Sequence, residues 1–467
     1  MSELVHISEV LWEIPATARP DMRVPARVFA DRELLAAIEG DSSLEQIQNV
    51  ATLPGIVEAA LAMPDVHQGY GFPVGGVAAT ELPDGVVSPG GVGYDINCGV
   101  RLLALPLTDD ELGDRRERLV HELSRSIPAG AGKTRGRTHD LDRVLEHGPQ
   151  ALEAEEDLER TESRGCLPDA DPAAVSKRAK ERGARQLGTM GSGNHFVELQ
   201  RVARIFDERA AEAYGLGEGQ VTVLIHSGSR GLGHQVCSDY VKQMDGAMRR
   251  HEIELPDRQL ACAPASAPEG RAYLGAMAAA ANFAWANRQA IADAVRRAVD
   301  RVLGAETGKG TRQVYDVAHN VAKTERYDGR ELLVHRKGAT RAFPAGSPEL
   351  PEAYREVGQP VFIPGSMGTS SFVLAGEPGS IELAFGSTCH GAGRRLSRTG
   401  ARHQVQGAEL RRELEAQGIV VRSPSNRGLA EEAPLAYKNV EHVVEIVERA
   451  GLSRRVAQLA PIGVVKG

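Results

Sequence analysis

The chain has 467 residues, 42% apolar and 25% charged, with a net charge of −8. These values describe a globular protein with ample core material and a soft prior of about three domains; they exclude broad non-specific nucleic-acid coating, which needs an extended basic surface, though not a local basic groove. Five widely spaced cysteines without a C-x-x-C, an N-terminus (MSELVHISEVLWEIP) lacking a long apolar run, and no stretch approaching the roughly 18 residues of a membrane span point to a reducing, cytoplasmic setting with no signal peptide and no membrane.

Residues 1–50 read as an entry strand, a helix around Arg32 to Ile38 and a second near Leu44 to Val50. Met63 to Thr80 (MPDVHQGYGFPVGGVAAT) reads as a loop feeding a strand, with Asp65 and His67 in the loop. Gly90 to Gly99 (GGVGYDINCG) places Asp95 and Cys98 three apart among glycines. A carboxylate and a thiol so spaced can both face one cation if the backbone curls, and glycine permits that curl. The stretch is therefore a candidate floor for a metal site. Val100 to Leu107 follows as a buried strand. Residues 109–185 read as mainly helical and rich in charge, interrupted by the loop Pro128 to Arg137 (PAGAGKTRGR). That loop is not a P-loop, because Ile127 stands where the first glycine is needed and no apolar strand precedes it. Lys133, Arg135 and Arg137 would suit a phosphate-touching loop, although a solvated surface loop is the simpler reading. The acidic stretch from Leu152 to Asp171 reads as surface.

From Arg185 to Gln200 (RQLGTMGSGNHFVELQ) a glycine turn leads into a strand, with Asn194, His195 and Glu198 near its start. Val221 to His234 (VTVLIHSGSRGLGH) is a buried strand with His226 at its carboxyl end, where open α/β sheets hold ligands. Ser227, Ser229 and Arg230 there offer donors to an anion. Arg271 to Leu303 is a long alanine-rich scaffold helix from which Asn282, Asn287 and Arg288 are candidates to reach a site. Arg312 to Asn320 is another β-type run ending in a histidine, His319, and Glu331 to Gly346 a strand with a basic turn holding His335, Arg336, Lys337 and Arg341. Gln359 to Gly376 reads as two strands around PGSMGTSS, a loop whose N–H groups and hydroxyls suit phosphate. In Phe385 to Arg398 glycines flank His390, and arginines follow at the start of an expected helix. An amphipathic helix, Asn439 to Ala450, and a tail with Lys466 close the chain. No repeat or long linker parts it, so one large catalytic domain is expected.

Of 14 histidines, His195, His226, His319 and His390 each sit where a strand-like run meets a turn. With the Asp-x-x-Cys, this favours a metal site over four separate core histidines. Asp95, Cys98, His195, His226 and His319 suffice for two cations if Cys98 bridges them. The donors suit zinc, or manganese with added oxygen ligands, and do not choose between them. His390, among small residues, suits a further ligand, a general acid/base or a nucleophile toward phosphorus.

MPDVHQGYGFPVGG, GGVGYDINCGVR, GSGNHFVE, HSGSRGLG, DVAHN, VHRKGATRAFPAG, PGSMG, HGAGR and the terminal Lys-Gly occur in one order along the whole chain. Together they resemble the RtcB family of tRNA-splicing RNA ligases. The resemblance implies an α+β fold: a single catalytic domain over 1–467, with mixed β-sheets flanked by helices. It implies a GTP- and Mn²⁺-dependent enzyme that joins an RNA 3′-phosphate or 2′,3′-cyclic phosphate to a 5′-hydroxyl through a guanylylated histidine. On the HGAGR motif that histidine is His390. One Mn²⁺ site would use Asp95, Cys98 and His195, the other Cys98, His226 and His319. Guanylate contacts would come from Asn194, His195, Phe196, Val197, Glu198, His319, Asn320, Pro364, Gly365, Ser366, Met367, Ser371, Gly391, Ala392, Gly393 and Lys466. Asp65 would orient the site from behind and Arg230 would hold an RNA phosphate. RNA would follow a local groove built from Lys133 to Arg137 and from Arg336, Lys337 and Arg341, with Arg394 nearby. A monomer, with or without an archease-like activator, is expected. The alternatives are a dinuclear metal phosphodiesterase or phosphatase, a paralogue that caps ends with guanylate, and a non-enzymatic RNA-binding module. The last is disfavoured by 4% aromatics and a negative charge.

Overall fold

The computed structural model describes residues 4–38, 40–130, 140–152 and 157–467. The loop cluster Lys133, Arg135 and Arg137 lies outside the described residues. Helix and sheet are mixed as expected, in two large sheets. One has seven strands in the spatial order Val5–Ser8, Leu11–Ile14, Ala26–Phe29, Ala60–His67, Val74–Glu81, Arg330–Lys337 and Asn320–Tyr327. The other runs Arg312–Ala318, Gly99–Thr108, Gln220–Ser227, Phe196–Ile205, Ser453–Lys466, Ser371–Gly376 and Pro360–Ile363, with Val420–Arg422 added in parallel to Ser453–Lys466. The β-branched run of Gln220–Ser227 sits in mid-sheet and is buried on both faces, as a near-continuous apolar strand must be.

The 36-residue helix Pro268–Leu303 is the spine. Proline opens it, where a missing N–H costs nothing, and Gly304 closes it. Its first half packs into a core with Val236, Tyr240 and Met244, and its second half into the core under the larger sheet. Alanines along it allow that close approach. Between the halves Asn282, Asn287 and Arg288 are fully buried. They brace loops rather than face a ligand: the Asn287 amide donates to Thr189 O, Ser227 Oγ and Gly228 O, each at 3.1 Å.

His319 is the residue at which the chain leaves one sheet and enters the other, since Arg312–Ala318 belongs to the larger sheet and Asn320–Tyr327 to the smaller. The seam between the sheets is thereby tied at one residue, and the candidate site lies along it.

Several local expectations change. Asp65 and His67 lie in the strand Ala60–His67, not in a loop, although a register shift between Ala62 and His67 interrupts its pairing. The stretch after Leu152 is not simply surface: Asp157, Thr161 and Glu162 are buried. Arg296 grips Asp157 at 2.7 Å, and Glu162 pairs with the Lys323 ammonium and accepts from Ala318 N at 2.8 Å. Burial alone would raise the Glu162 carboxyl, but the charges of Lys323 and Arg341 hold it down to about 2. The basic turn after Glu331 is strand, Arg330–Lys337 and Ala339–Arg341. The terminal "tail" is the last part of the strand Ser453–Lys466, paired along Phe196–Ile205. No helix begins directly behind His390; the next one is Arg398–Gln404, capped by Ser397. No described helix is long and apolar enough to cross a membrane.

Candidate metal and nucleotide site

The stretch Gly90 to Gly99 does curl. Cys98 N donates to Asp95 O at 2.9 Å, and Asn97 takes a left-handed φ of +53°. A non-glycine residue holds that conformation only when its surroundings compel it. Here the buried Arg288 guanidinium donates to Asn97 O at 2.7 Å and Asn97 Oδ1 at 3.2 Å, while the Asn97 amide donates to Ala281 O at 2.7 Å. Asp316 anchors the same guanidinium at 2.8 Å. Next in the chain, a Cβ on Gly99 would stand 2.5 Å from Val317 O and 2.9 Å from the guanidinium carbon, so glycine is required for the close approach.

This turn presents Cys98 to three imidazoles from three strand ends. Cys98 Sγ is 3.4 Å from His195 Nε2 and 3.3 Å from His226 Nε2, and His226 Nε2 is 3.4 Å from His319 Nε2. Asp95 Oδ2 is 2.8 Å from His195 Nε2. The donors form two groups, Asp95–Cys98–His195 and Cys98–His226–His319, each with its ligand atoms within 4.8 Å. All five sequence-predicted ligands are thus brought together, with Cys98 common to both groups.

The electrostatics suit cations. Burial keeps His226 and His319 well below the usual imidazole range, so they are neutral donors. Burial opposes ionisation of Asp95, but the His195 ring and Arg230 hold its carboxyl far below the usual range. Burial and the Asp95 charge push the Cys98 thiol well up. A thiol so placed ionises when a cation is at hand, and the donor set fits one at each group.

His390 follows the short strand Ser387–Cys389, which pairs with Ala339–Arg341. Its Nδ1 is 2.6 Å from Asp65 Oδ2, and the same oxygen accepts from His390 N at 2.9 Å and Gly391 N at 3.2 Å. Asp65 is fully buried. Burial would raise its carboxyl; the adjacent His390 ring and these hydrogen bonds outweigh it and hold the carboxyl below the usual range. Lys438, missed in the sequence, clamps the strand on either side of Asp65 by donating to Pro64 O at 3.0 Å and Val66 O at 2.5 Å. With only nine lysines among 55 basic residues, its retention was the available signal. Gly393, at φ +72°, lies so close to Asp65 that a Cβ would stand 2.1 Å from Asp65 O. The His390 and His319 ring centroids are 4.8 Å apart.

A cavity of about 290 Å³ opens over these groups. Cys98, His226, His319 and His390 line it, with Asn194, Phe196, Glu198, Asn320, Lys466, Pro364 to Met367 and Gly391 to Gly393. Val197 does not; it is buried in the hydrophobic core, as strand alternation from Phe196 and Glu198 requires. Ser371 also lies behind the wall, its hydroxyl accepting from Gly365 N at 3.1 Å and from the Gln200 amide at 3.0 Å. Burial drives the Glu198 carboxyl up to about 8, against the Gln200 hydrogen bond and the Lys466 charge. Burial brings Lys466 down to about 8, and its ammonium sits 5.4 Å from the Phe196 ring centroid.

A second cavity of about 710 Å³ adjoins the first, with Asp95, Asn194, Arg398 and Glu432 common to both. Arg230 lines it beside His195, joined by Arg182, Arg398 and Arg427, which the sequence had not singled out as site residues. By contrast, Arg336, Lys337 and Arg341 do not form a groove. Arg336 is buried and saturated by Glu325 at 2.7 Å and Ser387 Oγ at 2.8 Å. Arg341 donates to Gln359 at 3.1 Å. Lys337 borders the first cavity, but its ammonium is spent on the carbonyls of Tyr70, Phe72 and Gly90, which ties it to the metal floor. Strand pairing turned these three inward. Arg394 lines the first cavity while held by Glu432 at 3.2 Å and Tyr437 at 3.0 Å.

Comparison with known proteins gives the family. The family model described as "tRNA-splicing ligase RtcB" matches residues 46–467. The chain is 53% identical over 480 residues to a protein named "tRNA-splicing ligase RtcB" from Thermococcus kodakarensis, covering 100% of this chain and 99% of that one. It is 51% identical over 477 residues to the protein of the same name from Archaeoglobus fulgidus, covering 99% of each. It is 53% identical over 438 residues to "RNA-splicing ligase RtcB" from Mycobacterium bovis, covering 90% of this chain and all of that one. On a match of this extent, the chain belongs to the RtcB family.

Proposed function

We propose that this protein is a GTP-dependent RNA ligase that joins RNA 3′-phosphate or 2′,3′-cyclic phosphate ends to 5′-hydroxyl ends, in tRNA splicing or RNA repair, with the whole chain acting as one catalytic domain. The observation that carries this reading is the pair His390–Asp65. Because Asp65 Oδ2 takes Nδ1 at 2.6 Å, Nδ1 keeps its proton and Nε2 has the free lone pair, on a ring facing the cavity. Nε2 attacks the α-phosphorus of GTP, the N–P bond forms, the bond to the bridging oxygen breaks and pyrophosphate leaves. The imidazole becomes cationic, and the buried Asp65 carboxylate stabilises that charge. A 3′-phosphate oxygen then displaces His390 from phosphorus, and the 5′-hydroxyl attacks the activated 3′-phosphorus with GMP leaving. A cyclic end is first opened by water.

Two manganese ions, held by Asp95–Cys98–His195 and Cys98–His226–His319, would supply charge neutralisation and polarise the phosphoryl oxygens. Met367, Ala392 and Gly393 line the cavity and would offer backbone N–H groups to phosphate, those of Gly365, Ser366 and Gly391 being held by Ser371, Thr369 and Asp65. Glu198 and Lys466 offer an acceptor and a donor to a purine edge, the pair that guanine's N2–H and O6 would meet. The RNA backbone would lie along Arg182, Arg230, Arg398 and Arg427 in the second cavity. A monomer in the cytoplasm, assisted or not by an archease-like activator, completes the reading.

A dinuclear phosphodiesterase would use the same ligands but leave His390–Asp65 and Glu198–Lys466 without a task. Incubation with α-labelled GTP across Mn²⁺, Zn²⁺, Co²⁺ and Mg²⁺ separates the two. An acid-labile protein adduct that disappears in His390→Ala is expected. No adduct, or one that survives the substitution, would overturn the ligase mechanism.

A further inference from the structure

Tyr94 immediately precedes the candidate ligand Asp95. Its ring is stacked on His234, with centroids 4.7 Å apart and planes 27° apart. Tyr70 meets the Tyr94 ring edge-on at 5.4 Å. The stack stands where the two cavities meet: Tyr94 lines the first, His234 the second, and Asp95 belongs to both. His234 is exposed, whereas Tyr70 and Tyr94 are half-buried. An aromatic stack in a core would be covered on all sides; this one is backed by protein and ends in an exposed imidazole. His234 lies one turn inside the helix Arg230–Arg250, which buries Leu232, Val236 and Tyr240 against the core.

None of the metal, nucleophile or guanylate assignments uses this stack. Its surroundings indicate the ligand. Arg182 and Arg230 line the same cavity wall, so a polyanionic backbone is drawn past the ring. Single-stranded nucleic acid is held in this manner, by cations on the phosphates and aromatic faces under the bases.

We infer that the Tyr94–His234 stack is a base-stacking platform that positions a terminal nucleotide of substrate RNA beside the metal centre, an inference that rests on the ligase reading. Stacking on a π face is tolerant of base identity. The platform therefore orders an RNA end without selecting its sequence, which a ligase acting on varied ends needs. His234 is a positioning residue and takes no part in transfer to or from His390.

The test uses the full chain carrying His390→Ala, which stops turnover, with Mn²⁺ and RNA labelled with 2-aminopurine. One arm places the label at the last base of a 3′-phosphate strand, the other at the first base of a 5′-hydroxyl strand. Quenching in one arm identifies which end is stacked. Adding His234→Ala should abolish that quenching and weaken binding by roughly 5- to 150-fold, the usual worth of one base–aromatic contact; His234→Phe should retain both. In the His390 background, His234→Ala should form the guanylate adduct at an unchanged rate, which also reports that it is folded. If it does not fold, an abasic nucleotide at the same position should reproduce the loss with the unsubstituted protein. Quenching in neither arm, quenching and affinity unchanged in His234→Ala, or equal affinity for abasic and ordinary strands would overturn the platform. Absence of the GTP adduct in the unsubstituted protein would instead overturn the ligase reading.

Discussion

Asp65 Oδ2 lies 2.6 Å from His390 Nδ1 and also accepts the main-chain N–H groups of His390 and Gly391. One buried oxygen thus sets both the ring tautomer and the backbone that carries the ring. Asp65→Asn keeps an oxygen facing the three N–H groups but removes the negative charge that would stabilise the imidazolium formed when His390 attacks phosphorus. We expect adduct formation to fall by about 10²- to 10⁴-fold, with GTP binding little changed. Single-turnover guanylylation against nucleotide binding checks it.

Cys98 belongs to both donor groups, whereas Asp95 belongs to one. Cys98→Ala should therefore remove bound metal at both positions, and Asp95→Ala at one. Metal content per chain after Mn²⁺ loading and desalting is the measurement. Equal losses in the two variants would mean that Cys98 is not shared.

Glu198 supplies a pH dependence. Its carboxyl is raised to about 8 from 4.5 by burial, so the folded state holds a proton that the unfolded state releases. Stability therefore declines as pH rises from about 4.5 to about 8, and the loss is complete above that window. Glu198→Gln keeps the hydrogen-bonding shape without the charge. It should be more stable than the parent at pH 9, by about 1–3 kcal/mol, with the gap closing toward pH 5. Urea unfolding at the two pH values reads this, and the same variant should lose preference for GTP over ATP.

Arg230 and Arg341 should respond oppositely. Arg230 faces the second cavity, so Arg230→Ala should weaken RNA binding and flatten its salt dependence by about one charge. Arg341 is buried near Glu162 and holds Gln359, so Arg341→Ala should cost about 3–5 kcal/mol of stability before any effect on RNA. Salt titrations of binding alongside unfolding curves separate the two.

Lys466 is paired in register with Phe196 at the end of a strand and borders the first cavity. Removal of residues 466 and 467 should weaken guanylylation while leaving Tm close to that of the full chain. Unchanged adduct formation would make Lys466 a structural residue only.

The metal groups were legible in the sequence because their signal is local. Asp95 and Cys98 share a glycine-rich turn, and His195, His226 and His319 each mark a point where a β-type run meets a turn. The order of nine motifs added the family and, with it, His390. Some elements followed from pattern, among them the helix Arg32–Ile38 and the spine, read from Arg271 and found from Pro268 to Leu303. What only the tertiary structure decided is which polar groups point inward. Arg336, Lys337 and Arg341 carry the composition of an RNA groove, yet strand pairing places them against Glu325, main-chain carbonyls and Gln359. Asp65 and Glu162 belong to stretches that read as loop and surface, yet each is a buried carboxylate because its partner, His390 or Lys323, arrives from far along the chain. The Tyr94–His234 stack joins residues too distant in sequence for any local pattern to relate them. Burial of a charge depends on the partner that meets it, and that meeting is a property of the two sheets and the seam at His319.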